Sequence, residues 1–327
     1  MRHLKFAYLL IGIAILALVV GEIELEEVAA LVVRVGWGIA AVVGVYFLAF
    51  VIDSFTWQMA LTGVPLDAVW LYRMWKVRMV GEVFNTVLPA AGMGGEPVKA
   101  VLLKKHYGVG YREGTASLIL AKTINMIALV VFLSVGFVLM AYSPALPGSY
   151  KSAAGLGLGA FALGIFLFFA IQRLKISSVA GSWIGRRRLG RRIEGLLHHV
   201  RDMDDRLAGF YSGHGVRFAG AIGLALVNWL LGAVEIYVTM IFLGRPISLA
   251  DAWIIESAAQ LVRAGTFFIP ASIGAQEGVF LLVYGAMTGS PALGAAVAVV
   301  RRLREIIWIL WGLLLGSIYT FKPAHDE

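Results

Sequence analysis

The sequence predicts an all-α integral membrane protein, with about six full transmembrane helices plus two re-entrant broken hairpins arranged as an inverted repeat. Three observations lead there: the apolar share of the chain, the length of its apolar runs, and the proline and glycine that interrupt two of them. Hydrophobic residues make up 60% of the 327 positions and charged ones 15%, against roughly half apolar in soluble domains. No core of this size hides so much apolar surface from water, so the expected solvent is lipid. The formal charge of +8 would suit nucleic acid, but the basic residues flank apolar spans, as beside an anionic bilayer face. Membrane lipids are therefore the expected partners, and nucleic acid is not. Cysteine is absent, which excludes disulfides and Cys-ligated metal.

A span needs about 20 apolar residues. Leu4–Val20, with Arg2 and Lys5 ahead of its apolar run, lacks a small-residue cleavage site and reads as an uncleaved first span rather than a signal peptide. Val28–Ile52, Gly114–Tyr142, Ala153–Ile171, Val216–Leu243 and Ala292–Thr320 qualify as well. Two stretches do not. Tyr72–Lys105 is broken by Pro89, Gly94, Gly95 and Pro97, and Ala252–Gly285 by Pro270 and Gly274. Proline and clustered glycine interrupt a helix, and broken backbone at membrane depth must be covered by protein or line a water-filled cavity. Each stretch is expected to enter and leave on one side; a pair of kinked spans is the alternative.

Basic loops mark the cytoplasmic side. Arg173, Lys175, Arg186, Arg187, Arg188, Arg191 and Arg192 place the central loop there, and counting spans puts both termini in the cytoplasm and the Glu22–Glu27 run outside. The expected location is the inner membrane. Within that loop, Leu189, Ile193, Leu196, Leu197, Val200, Met203, Leu207 and Phe210 recur at three- and four-residue steps. With its upstream arginines this segment suits a helix lying on anionic headgroups.

By the same count the two hairpins open on opposite sides. An ungapped offset of 181 residues aligns Leu88–Ala90 with Ile269–Ala271, Glu96 with Glu277, Val98 with Val279 and Gly108 with Gly289. Related hairpins of opposite orientation are what an inverted repeat requires. The chain then reads as one polytopic domain over 1–327: a first half over 1–172, a basic loop over 173–215 and a second half over 216–327.

Charges inside spans cost about 2.5–3.5 kcal/mol each on insertion scales, so they are candidate functional groups. Arg301, Arg302, Arg304 and Glu305 interrupt the last span, and at 100° per residue Arg301, Arg304 and Glu305 share a face. Glu277 is their expected counter-charge, with Gln276 beside it and Arg263 on the other hairpin arm. The cluster suits either a buried ionic lock or a site for a lipid phosphate, which guanidinium groups bind bidentately. In the first hairpin, Glu96-Pro97 suits a helix start, where free N–H groups can hold an anion. Lys99, Lys122 and Asn125 are expected at the same cavity, although a lysine near a span end also snorkels. No Walker motif, HExxH, GxSxG or Asp-rich metal motif occurs, and His198, His199 and His214 suit solvated loops. Neither catalysis, metal nor cofactor is expected.

The tracts Gly95-Glu-Pro-Val-Lys-Ala100, Tyr111-Arg-Glu-Gly-Thr-Ala116, Pro270-Ala-Ser-Ile-Gly-Ala-Gln-Glu-Gly278 and Val300-Arg-Arg-Leu-Arg-Glu305 resemble the flippase-like family (UPF0104-like) that includes the transmembrane part of lysylphosphatidylglycerol synthase. The third tract most resembles the HpnL branch, associated with hopanoid biosynthesis. The resemblance covers nearly the whole chain and implies lipid handling, since in the synthase this domain moves aminoacylated phospholipid between leaflets. The synthase also carries a soluble aminoacyl-transferase domain for which 327 residues leave no room, so lysyl transfer is not implied. The expected function is a lipid translocase. An intramembrane enzyme or non-catalytic partner in hopanoid or polyprenyl-lipid synthesis is the alternative, and a small-solute transporter the third.

Overall fold

A computed structural model describes residues 25–87, 94–173, 213–266, 269 and 272–321. These form ten helices: α1 (Leu25–Val35), α2 (Gly38–Ala60), α3 (Ala68–Val87), α4 (Glu96–Tyr107), α5 (Tyr111–Tyr142), α6 (Gly148–Arg173), α7 (Gly215–Phe242), α8 (Leu249–Gly265), α9 (Ala275–Thr288) and α10 (Pro291–Phe321). Among the described residues four helical segments are long and apolar enough to cross a membrane: α2, α5, Gly148–Leu167 of α6, and α7. The chain is an all-α integral membrane protein. Helix α10 spans 31 residues, about 46 Å at 1.5 Å per residue, but it carries the Arg301–Glu305 charges inside it. The expected first span Leu4–Val20, the loop helix from Leu189 to Phe210, Pro89 and Pro270 lie outside the described residues.

The expected span Val28–Ile52 is corrected. The chain breaks at Gly36, whose φ of +47° suits a residue without Cβ, and α2 then continues to Ala60. Apolar residues on both sides conceal the break in the hydropathy. The shift brings Asp53 inside the helix.

Both interrupted stretches fold as helix–break–helix hairpins. In the first, the Trp70 and Tyr107 rings meet 5.7 Å apart beneath the Arg73 guanidinium, so α4 returns to the end where α3 began. Gly95 lies against the Gly81 carbonyl, where any Cβ would collide, and its N–H donates to Asn85 Oδ1 at 2.7 Å. In the second, Gly274 takes a φ of +83° and its N–H donates to Glu277 Oε2 at 2.8 Å, which closes the first turn of α9.

The 181-residue offset holds through the architecture. It carries α2 onto α7, α3 onto α8, α4 onto α9 and α5 onto α10 within a few residues at each end, and both α4 and α9 end at left-handed glycines, Gly108 (φ +71°) and Gly289 (φ +74°). Cross-contacts are reciprocal: α3 packs on α10, and α8 on α5. The matched helices α2 and α7 pack side by side and run antiparallel. Gly38 at the start of α2 abuts Phe242 at the end of α7. Arg217 at the start of α7 donates to the carbonyls of Met59 (2.7 Å), Gln58 (3.1 Å) and Leu61 (3.1 Å) at the end of α2, which satisfies carbonyls that a helix end leaves unpaired. Two antiparallel copies of one unit are the geometry of an inverted repeat.

Each half has its own apolar core. Trp57, Met74, Leu103 and Ile124 pack with Ala221 and Ala225 of α7, small residues that let membrane helices approach. Ile236, Ile255, Phe280 and Tyr284 pack with Met140 of α5.

Candidate functional site

Between the halves lies a cavity of about 490 Å³ whose wall is rich in charge. The first half contributes Asp53 from α2, Arg78, Glu82 and Asn85 from α3, Glu96 and Lys99 from α4, and Lys122 and Asn125 from α5. The second contributes Glu235 from α7, Glu256, Gln260 and Arg263 from α8, and Arg301, Arg304 and Glu305 from α10. Acidic and basic residues balance within each half. Such a wall carries little net field but many oriented partners for a polar group.

In the first half, Asp53 is ion-paired with Arg78 and accepts a 3.0 Å hydrogen bond from Asn125 Nδ2. The Arg78 guanidinium also lies 4.3 Å from the centre of the Phe50 ring, a favourable cation–π distance. Asn85 donates to Glu82 at 3.3 Å while its oxygen holds Gly95. Glu96, in the first turn of α4, receives Lys99 at 3.0 Å and Lys122 at 3.4 Å on one oxygen. Lys99 is buried, but the Lys122 side chain is 50% exposed.

The second half is bound more tightly. Arg301 donates to Glu256 at 2.6 Å and lies 3.6 Å from Glu235. Arg304 donates to Glu235 at 3.0 Å and lies 3.6 Å from Glu305. Gln260 donates to the other oxygen of Glu256 at 2.6 Å. Arg301 sits over the Phe280 ring and Arg304 over Tyr46 of the first half, 5.0 and 3.7 Å from the ring centres. Arg301 and Arg304 are nearly fully buried, and at that depth a charge is tolerated only with close partners.

One expected pairing is corrected. Glu277 does not meet the Arg301/Arg304 face: it accepts from Arg302 at 2.6 Å, and Arg302 also donates to Glu305 at 2.7 Å. One residue along α10 turns a side chain by about 100°, so Arg302 points to α9 while Arg301 and Arg304 point to α7 and α8. Gln276 and Glu277 are buried on α9 and lie behind the cavity rather than on its wall. The other eight expected residues line it: Glu96, Lys99, Lys122, Asn125, Arg263, Arg301, Arg304 and Glu305. Arg263 is exposed there, makes no ion pair among the described residues, and is within electrostatic reach of Glu305.

Sequence reasoning missed Asp53, Arg78, Glu82, Asn85, Glu235, Glu256 and Gln260. The signal was present for Glu235 and Glu256. Each is a lone carboxylate in an apolar run, which marks a candidate position by the same reasoning as the arginine cluster.

A family model described as the lysylphosphatidylglycerol synthase TM region matches residues 6–312. The chain is 24% identical over its full length to a UPF0104 membrane protein of Methanothermobacter thermautotrophicus, covering 98% of that protein. It is 23% identical to a UPF0104 membrane protein of Pyrococcus horikoshii, covering 97% of each chain. No solved structure matches. Among the described residues no group of three or more His, Cys, Asp or Glu side chains is placed to hold a metal ion.

Proposed function

Since the chain belongs to the family of the lysylphosphatidylglycerol synthase TM region, we propose that it is a lipid translocase of the inner membrane, moving a polar or anionic lipid between leaflets. The observation that carries this reading is the charge accounting on the cavity wall. Every carboxylate there already has a partner, whereas Lys122 of the first half is half-exposed and Arg263 of the second is exposed. The cations open to the cavity are one from each half, Lys122 paired with Glu96 but half-exposed and Arg263 with no ion pair among the described residues, which suits an anionic headgroup bridging them. An ionised headgroup loses tens of kcal/mol of solvation in hydrocarbon. A wall of fixed dipoles and ion pairs would replace that water while the tails stay in the bilayer. Alternating exposure of two antiparallel halves would carry the headgroup across.

The sidedness follows from the basic loop: both termini cytoplasmic, the first hairpin opening inward and the second outward. Single Lys105→Cys and Ser290→Cys variants of this cysteine-free chain should label from opposite faces, and labelling from one face would refute the topology. The function is tested in proteoliposomes with fluorescent phosphatidylglycerol and a leaflet-accessible quencher. Lys122→Gln/Arg263→Gln should slow translocation at least tenfold. An unchanged rate would refute the headgroup role. We read the protein as a carrier rather than an enzyme of hopanoid or polyprenyl-lipid synthesis, so its deletion should alter leaflet distribution and leave lipid chemistry intact. Hopanoid and polyprenyl lipids remain cargo classes within this reading.

A further inference from the structure

Four helices of one half match four of the other, but the grooves on their outer sides differ. Where α5, α7 and α8 meet, Phe132 stacks on Trp253 at 5.4 Å and packs beside Trp229. Both indoles are satisfied: Trp253 Nε1 donates to Phe132 O at 3.1 Å and Trp229 Nε1 to Asn125 O at 3.3 Å. Helix α6 covers this groove through Leu158 and Phe161. The equivalent groove lies where α10, α2 and α3 meet, and among the described helices none covers it. Phe47 and Tyr72 are 41% and 57% exposed there. The rings continue inward without a gap. Phe47 stacks on Trp311 at 6.1 Å, Trp311 meets Trp308 at 5.3 Å, and Trp308 meets Tyr46 at 4.8 Å. Tyr46 and Trp308 are themselves cavity wall.

In this open groove two indole N–H groups, those of Trp75 and Trp308, have no acceptor among the described residues, although the residues are only 9% and 3% exposed. A buried donor without a partner costs about 1–3 kcal/mol, and the matched groove shows that the fold can satisfy its indoles. We infer that the α2–α3–α10 groove is the lateral seat of a glycerolipid: headgroup in the charged cavity, junction oxygens accepting from the Trp75 and Trp308 indoles, tails against Phe47 and Tyr72. The inference rests on the translocase reading for the headgroup and adds the lipid class. The ester oxygens of a glycerolipid lie where headgroup and tail join, beside the two indoles. A polyprenyl phosphate carries only its phosphate oxygens at that junction, and these belong to the cavity. Tryptophan is suited to such a position, with an apolar body and one polar edge.

The test uses the full chain in proteoliposomes with phosphatidylglycerol bearing a diazirine on one acyl chain, and reads photolabelled peptides by mass spectrometry. Saturable labelling is expected on the α2, α3 and α10 peptides, competed by excess unlabelled phosphatidylglycerol and not by polyprenyl monophosphate. Labelling of Leu163 and Phe166 on the lipid-facing side of α6 should not saturate. Trp75→Phe/Trp308→Phe keeps a six-membered aromatic ring at each position and removes both donors, and should reduce the saturable component at least threefold in protein that still shows a cooperative melting transition. Equal competition by polyprenyl monophosphate, or unchanged saturable labelling in the double variant, would overturn the assignment. So would a cross-link from Phe47→Cys to a cysteine placed within residues 1–24, since the groove would then hold this chain's own amino-terminal segment. Translocation is followed on the same vesicles. Saturable labelling without translocation would support the seat and refute the translocase reading alone.

Discussion

The charge clusters of the two halves occupy matched helices and differ in how completely they are closed. In the second half Arg301 and Arg304 each reach two carboxylates. Both are almost fully buried, and Arg304 is capped by a ring from the opposite half. In the first half Asp53 and Arg78 form one pair, and Lys122 reaches Glu96 while half in the open. On the proposed translocase reading, the difference separates two tasks that a carrier must combine. A cluster in which each buried arginine reaches two carboxylates resists rearrangement, because opening it strands buried charge. A cluster with an accessible lysine can exchange its protein partner for a ligand at little cost, since a screened ion pair contributes only about 0–1 kcal/mol. The second half thus anchors the cavity, and the first half offers it a movable cation.

The largest effect should come from opening the closed cluster. Arg301→Gln leaves Glu256 and part of Glu235 uncompensated and should lower stability by about 3–5 kcal/mol, measured by denaturant unfolding in detergent. Adding Glu256→Gln should recover most of the loss. A single substitution that costs no more than its counterpart in the first half would break the comparison.

That counterpart is Asp53→Asn, which keeps the bond from Asn125 but leaves Arg78 with the Phe50 ring and the more distant charge of Glu82. A loss of about 1.5–3 kcal/mol is expected, the range for a hydrogen bond to a charged group, read by the same unfolding curves. A loss as large as that of Arg301→Gln would show both clusters to be equally closed.

The corrected partner of Glu277 sharpens the picture. A double-mutant cycle of Glu277→Gln with Arg302→Gln should give a coupling of about 0.5–3 kcal/mol. The cycle with Arg304→Gln should give less than half of that, since Glu277 reaches Arg304 through two intermediaries, Arg302 and then Glu305. Equal couplings would restore the pairing expected from the helical face alone.

The smallest effect on stability belongs to the open end. Lys122→Gln should shift unfolding by no more than about 0.5 kcal/mol, because Lys99 continues to neutralise Glu96, while translocation falls. A larger destabilisation would make Lys122 part of a lock.

Much of the fold was legible in the sequence because the bilayer admits few spanning structures. Apolar runs, Gly94–Gly95 and Gly274 at the hairpin breaks, and the 181-residue offset were enough to find α3 through α10 and to match the two hairpins and the spans that follow them. The sequence failed at Gly36, where apolar residues flank a break that hydropathy does not register. Of the site, the arginines of α10 were legible because charge within a span is costly wherever it points. Their partners were not. The sequence by itself determined that these charges must be neutralised inside the protein. Only the tertiary structure decided by whom: α7 and α8 bring Glu235 and Glu256 from 69 and 45 residues away, and one step of helical rotation gives Glu277 to Arg302. Partner choice follows from which helix faces which, and that is set by the packing of two antiparallel halves, a relation spread over the whole chain and written in no single motif.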